Sequence, residues 1–476
     1  MRKGRALLVG LALVGLCPAT VHAASGAPPY WPMWNLLAGV LALVAPVAVI
    51  LIAAGGSPPE EAGELIALAL GTTAAGILAY AAFGFAFEFG GIALQVNWPG
   101  LAALAAEWSP MPARTGAAWG AVGLKGFFLG GAEATSDLYA LAAVNLPAVA
   151  LAVLVPVLAL GIRVRRSVLV ALAVLVGGLV YPLVGNWVWG GGWLAFLGTN
   201  IGWGHGFVDL GGSGTVHLLG AGLALIGILA IGRRRPARAS QVVELPPAHF
   251  PLLALMGALL APVGWVAMVL ANPLVTPDLA PGLVAVTLTV AALGGAAPGL
   301  FYSWLATGRT NPQLAARGVL AGLVAASAGC GFMTPVAAFA AGIAAGGLLP
   351  LVSYLTEHRL RWQDPNGTLA THGLPGIIGV LWVALWADGR WGVGWNGVPS
   401  PPGMPQQGVA GLLVAPGRFS DVPGQLWAQL VGAGAILVLA VCTAALVLGL
   451  ALMARAAGAA MPQGKRRAPR TRSARR

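Results

Sequence analysis

Asp209-Leu-Gly-Gly-Ser-Gly-Thr-Val-His217 and Asp364-Pro-Asn-Gly-Thr-Leu-Ala-Thr-His372 decide the reading of this chain. Each stretch places a carboxylate and an imidazole eight residues apart, near the start of a long apolar run, one in each half of the sequence. The surroundings are 58% hydrophobic and only 8% charged. An ionisable side chain inside a bilayer is costly and is read as functional by default. Two at matching positions point to a duplicated membrane fold with its site between the halves.

Working outward, the apolar runs of 18 residues or more identify an all-α polytopic membrane protein. The alternating ten-residue pattern of an outer-membrane barrel is missing from the sequence. The 70 glycines, with abundant alanine, suit helices that approach closely. No segment between spans is long enough for a large soluble domain. The three cysteines, Cys17, Cys330 and Cys442, form no CxxC, so neither a paired metal motif nor a disulfide framework is expected. No cofactor or metal is called for.

Residues 1–23 have the basic start, short apolar core and small-residue end of a signal peptide. Eleven spans are expected after it, over about 34–54, 62–89, 137–161, 167–189, 207–232, 249–271, 279–306, 317–333, 335–355, 368–388 and 424–455. The Gly-, Pro- and Trp-rich stretches 90–136 and 389–423 read as outer loops. The net charge of +12 needs no nucleic acid to explain it. With the mature N-terminus outside, nineteen Lys and Arg fall on inner segments, Arg317 among them, and four fall outside: Arg114, Lys125, Arg390 and Arg418. That asymmetry satisfies the positive-inside rule and predicts an inner (plasma) membrane protein with a cytoplasmic C-terminus.

In this topology the fifth and tenth spans run in opposite directions and carry the same Asp–His spacing. A 5+5 inverted repeat, about 34–232 and 249–388, with an extra C-terminal helix at 424–455 and a basic tail at 456–476, accounts for the relation. His217 then lies about ten residues, or ~15 Å, into its span. The two imidazoles are expected to meet near the midplane. Dry surroundings disfavour a charged imidazole. A neutral pair shares one hydrogen bond and keeps a nitrogen for a passing molecule. Asp209 and Asp364 sit where a side chain can cap a helix start, with Pro365 suited to the first helical turn. Asp209 reads equally as a cap and as a stabiliser of an entering cation. The run Trp187-Val-Trp189-Gly-Gly-Gly192 offers an aromatic face for a cation, or part of an interfacial aromatic belt.

Trp189-Gly-Gly-Gly, Asp209, Gly-Thr215-Val-His217, Cys330-Gly-Phe, Asp364-Pro and His372-Gly with Gly376-Ile-Ile-Gly379 together resemble the ammonium transporter family (Amt/Mep/Rh), as a divergent bacterial-type member. The resemblance covers most of 34–455. It implies a homotrimer with one pore per subunit, ammonium as substrate with ammonia passing a twin-histidine pair, and no enzymatic activity. It assigns His217 and His372 to the pore, Trp189 and Asp209 to ammonium recruitment, and Trp265, Met268 and Asn272 to the vestibule. It departs from the family at the gate: Met268 stands where a phenylalanine is usual, Asn272 where a serine often sits, and Leu141 to Pro147 contains no Phe. The segment 200–206, with Trp203 and His205, is longer than usual. A PII-type cytoplasmic regulator is common in the family, and this tail is too divergent to carry it over. An ammonium sensor, a channel for another small neutral molecule, and a metalloenzyme using His217, His372, Asp209 and His205 are the alternatives weighed.

Overall fold

Residues 33–111, 119–131, 134–232, 245–272, 279–400 and 406–460 are described by a computed structural model. The expected signal peptide, Arg233 to Arg238 and the tail beyond 460 lie outside them.

The chain is helical wherever its apolar runs are long. The helices are α1 (Met33–Gly56), α2 (Pro59–Leu94), α3 (Ser136–Arg163), α4 (Arg166–Val188), α5 (Ser213–Ile231), α6 (Pro251–Ala271) and α7 (Pro281–Thr307). They continue as α8 (Pro312–Ser327), α9 (Pro335–Arg359), α10 (Leu369–Trp386) and α11 (Gly424–Ala460). Ten of these are long and apolar enough to cross a membrane. The shorter α8 has 16 residues, almost all buried. Several starts are set by proline at the first helical turn, where its missing N–H costs nothing. Asn311 adds a side-chain cap to α8 by accepting from the Leu314 amide.

The helices form one bundle with α3 inside it and α11 outside. Within the apolar window of α3, 89% is buried, against 22% for α11. Pro147 and Pro156 inside α3 are tolerated because neighbouring helices cover the kinked backbone. The connection between α2 and α3 carries a two-stranded antiparallel pairing, Glu107–Trp108 with Val122–Gly123.

The eighth helix corrects the expected span 317–333. It starts five residues earlier and ends at Ser327. Gln313 and Arg317, polar residues that composition assigns to an inner loop, lie inside the helix and are 1% and 2% exposed. Pro365 is likewise displaced: it sits in the turn ahead of α10, with its carbonyl accepting from the Arg317 guanidinium at 2.6 Å.

Glycine sets the tightest crossing. A Cβ on Gly295 of α7 would strike the backbone of Gly318 and Gly322 on α8, and one on Gly346 of α9 would strike Gly295. Small residues let membrane helices touch at the backbone, where dispersion and weak polar contacts replace the hydrophobic effect. Gly295→Leu is therefore expected to destabilise the bundle by about 3 kcal/mol or more. Thermal unfolding in detergent checks this, and an unchanged melting temperature contradicts the packing account.

Outside the spans, the Glu107 carboxyl is half-buried in a niche against Gly91 and Gly120. Burial pushes its pKa up to about 7 from an ordinary 4.5, with a hydrogen bond from the Asn186 side chain acting the other way. The folded state thus holds a proton that the unfolded chain releases near its ordinary value. Stability falls as pH rises from about 4.5 to about 7, then levels. Glu107→Gln is expected to flatten this dependence and to melt higher than the parent at pH ~8. Parallel melting curves across that window test it, and equal pH slopes in the two proteins would rule it out.

Candidate functional site

Two of the helices, α5 and α10, start on buried backbone. The chain reaches α5 through the non-helical segment 206–212, with Gly206 and Gly212 at φ +70° and +83°. Backbone of this kind is tolerated at membrane depth only where protein satisfies it or a cavity is lined. Here Leu210 and Gly211 donate to the carbonyls of Ala328 and Ser327 at the end of α8. The Ser213 hydroxyl donates to Val324 O at 2.7 Å and accepts from the Ala328 amide at 2.8 Å. Glutamines at the head of α11 hold the preceding residues: Gln425 bonds His205 N and Gly206 O, and Gln429 bonds both backbone groups of Val208. His205 itself faces Asp421, with Nδ1 to Oδ2 at 3.2 Å.

The matched carboxylates cap the two broken helices. Asp209 Oδ2 accepts from the amides of Gly214 and Thr215 and from the Thr215 hydroxyl, at 2.7–3.0 Å. Asp364 accepts from the amides of Thr368 and Leu369, both at 2.9 Å. Carboxylates here satisfy free N–H groups and sit at the positive end of the helix dipole. Asp209 Oδ1 has no partner among the described residues.

Both first turns are π-helical, over Ser213–Leu218 and Leu369–Gly373, and each contains one histidine. Such turns are rare and recur at functional sites. Gly376 and Gly379 let α10 press onto Ser213 and Leu218, which brings the two turns together. His217 and His372 are buried and meet Nδ1 to Nδ1 at 3.2 Å. Their ring centroids are 5.0 Å apart with planes 18° from parallel. Trp265 stacks on His217 at 5.4 Å and 10°, its indole N–H donating to Ser327 Oγ. His217 Nε2 has no partner among the described residues. A contact between two Nδ1 atoms requires one to donate and the other to accept, so the pair holds one proton between them.

Two small cavities lie near the pair: Val216, next to His217 in sequence, lines one, and His372 lines the other. One, of about 30 Å³, is lined by Trp189, Leu210, Gly211, Val216, Met268, Val269 and Asn272, and by Val144, Asn145 and Ala148 of α3. The other, of about 20 Å³, is bounded by His372, Thr371, Thr368 and Asn366, by Gln313, Arg317 and Leu320 of α8, and by residues of α1 and α3. Each has room for roughly one water-sized molecule. The Trp189 indole donates to the Asp209 carbonyl at 2.9 Å, and its ring packs on Tyr181. The structure thus gathers His217 with His372 and, in the first cavity, Trp189 with Met268 and Asn272. It places Trp265 against His217, outside that lining. Asp209 is turned toward its own helix. Residues that sequence reasoning passed over are Asn145, Gln313 and Arg317. The signal for all three was a polar side chain within or beside an apolar run, hidden by a misplaced boundary for the latter two.

The chain matches the model of the Ammonium Transporter Family over residues 33–456. It is 28% identical over 365 residues to ammonium transporter Amt2 of Archaeoglobus fulgidus, covering 76% of this chain and 72% of that one. With ammonium transporter Amt1 of Methanocaldococcus jannaschii it shares 33% over 213 residues, 44% of this chain and about half (51%) of the relative. In fold it is similar to Mep2 of Candida albicans, with a TM-score of 0.68 at 20% identity, covering 91% of this chain and 86% of that one. It is also similar to a solved protein named Sensor Amt Protein, with a TM-score of 0.66 at 22% identity, covering 88% and 92%. The chain is a multi-pass membrane protein and belongs to the Ammonium Transporter Family, whose members are transporters and not enzymes.

Proposed function

We propose that this chain moves ammonium across the membrane by recruiting the ion at the cavity beside Trp189, parting it from its proton, and passing neutral ammonia along the His217–His372 pair. One observation supports this above the others: two buried imidazoles from the first turns of α5 and α10 touch at 3.2 Å, with His372 lining one small cavity and Val216, next to His217, lining another. Carrying a bare ion through so dry a passage costs several kcal/mol. Carrying ammonia avoids that. At the recruitment side, the Trp189 face offers cation–π attraction of about 0.5–2 kcal/mol. Met268 and Asn272, with Asn145, form this vestibule without a pair of phenylalanines. Asp209 serves it indirectly, by fixing the start of α5 and the carbonyl to which Trp189 is bonded. The histidine pair, already sharing one proton, accepts and returns another without a large rearrangement.

The reading extends to the whole chain. Eleven spans, counting α8, form a 5+5 inverted repeat with α11 added, within a membrane domain at 24–455 that follows a signal peptide. The N-terminus faces outward and the C-terminus the cytoplasm of a cell whose inner membrane holds the protein. The assembly is a homotrimer. No observation favours the sensor reading over transport.

His217→Ala and His372→Ala are each expected to lower ammonium flux into reconstituted vesicles by about tenfold or more, the scale of one lost hydrogen-bonding group. Stopped-flow or electrical recording of ammonium pulses provides the readout. If both folded variants carry ammonium at the parent rate and selectivity, the pair is not on the path.

A further inference from the structure

Arg317 is a buried guanidinium in a protein read here as a carrier of a cation. Its placement is not that of a snorkelling loop residue. It sits on the second turn of α8, 2% exposed, and lines the same cavity as His372. Nη2 donates to the Pro365 carbonyl, while Nε has no partner among the described residues. Gln313 Oε1, also in the lining, is likewise without a partner.

Among the residues that line the cavity, Arg317 is the one that carries a permanent charge. Asp364 and Glu357 are the carboxylates near enough to interact with it. Both Asp364 oxygens are taken by the amides of Thr368 and Leu369, and Glu357 is exposed on α9. Neither is among the lining residues. Arg163, a second guanidinium, is occupied by the carbonyls of Ala159, Leu160 and Gln363 at the end of α3. A molecule in this cavity therefore meets the Arg317 guanidinium directly, beside the His372 imidazole and neutral amides, while the two carboxylates lie behind the lining. Fixed charges of one sign, and an arginine in a narrow passage in particular, exclude ions of that sign while leaving neutral molecules free.

We propose that Arg317 is a cation filter on the arginine-rich side of the histidine pair: it admits ammonia and rejects ammonium, potassium and other monovalent cations arriving from that side. This rests on the conduction reading above and adds to it a direction. Ammonium is bound well from the Trp189 side and poorly from the Arg317 side. Any ammonia leaving past Arg317 regains a proton only beyond it.

The test uses the full chain reconstituted in vesicles, with ammonium-driven changes in lumen pH followed by stopped flow for ammonium applied at each face separately. In Arg317→Gln the half-saturating ammonium concentration at the Arg317 face is expected to fall about tenfold, the effect of one fixed charge at intermediate polarity. At the Trp189 face it is expected to stay within about twofold. Potassium applied at the Arg317 face is expected to inhibit this variant and not the parent. Arg317→Lys, which keeps the charge, is expected to behave as the parent. Asn366→Asp, which adds a carboxylate to the same cavity wall and leaves Arg317 in place, is expected to mimic Arg317→Gln. It carries the test should Arg317→Gln fail to fold. Parent-like behaviour of both Arg317→Gln and Asn366→Asp at the Arg317 face would overturn the filter while leaving the conduction reading intact. Folded Arg317→Lys matching Arg317→Gln would overturn it too, and would reduce Arg317 to a clamp on the Pro365 turn. A parent protein that passes no ammonium would remove the conduction reading and the filter with it.

Discussion

A peptide backbone that leaves the helix inside a bilayer must find a partner for every amide and carbonyl it frees, because lipid supplies none. That constraint organises this protein. Two helices start deep in the bundle so that their first turns can meet, and much of the surrounding structure serves the backbone that this exposes. Asp209 and Asp364 accept from the free amides of α5 and α10. Ser213 and the end of α8 take up the segment before α5. Gln425 and Gln429 extend from α11 to hold residues 205–208. The peripheral helix is thus more than lipid-facing cover: its first two turns fix the approach to the site.

The polar groups of the interior divide by whether their hydrogen-bonding capacity is used up. Asp209 Oδ2, both Asp364 oxygens and the Arg163 guanidinium are engaged with backbone. His217 Nε2, Arg317 Nε and Gln313 Oε1 keep unused capacity, and all belong to residues at the histidine pair or the cavity beside it. An unused polar atom costs about 1–3 kcal/mol when it is buried away from water.

Much of this was legible in the sequence because the bilayer makes polar residues conspicuous. The eight-residue Asp–His spacing, repeated in two halves, located both the caps and the imidazole contact. The hydropathy of the long runs located ten helices, although the fifth was expected from 207 and starts at Ser213 because residues 206–212 are non-helical. The misplaced eighth helix has one cause. A polar residue was read as lying outside the bilayer, so Gln313 and Arg317 pushed the eighth helix out of register, and Arg317 was counted with the loop arginines. The charge rule that supports the topology from the other basic residues cannot distinguish an arginine that anchors a loop from one that lines a cavity. The stacking of Trp265 on His217 was not legible either, because α5 and α6 are separated by a connection that conveys nothing about rotation of one helix against the other. Asn145 was invisible for the opposite reason: a single amide in a nearly uniform apolar helix carries no periodicity to show which way it faces.

Nitrogen-15 NMR of the two imidazoles, in protein reconstituted in lipid and labelled at histidine, addresses the central claim most directly. The account predicts one ring protonated at Nδ1 and one bare at Nδ1, coupled to each other at neutral pH, with both signals shifting when ammonium is added. Two rings protonated at both nitrogens, or a coupled pair blind to ammonium, would contradict it.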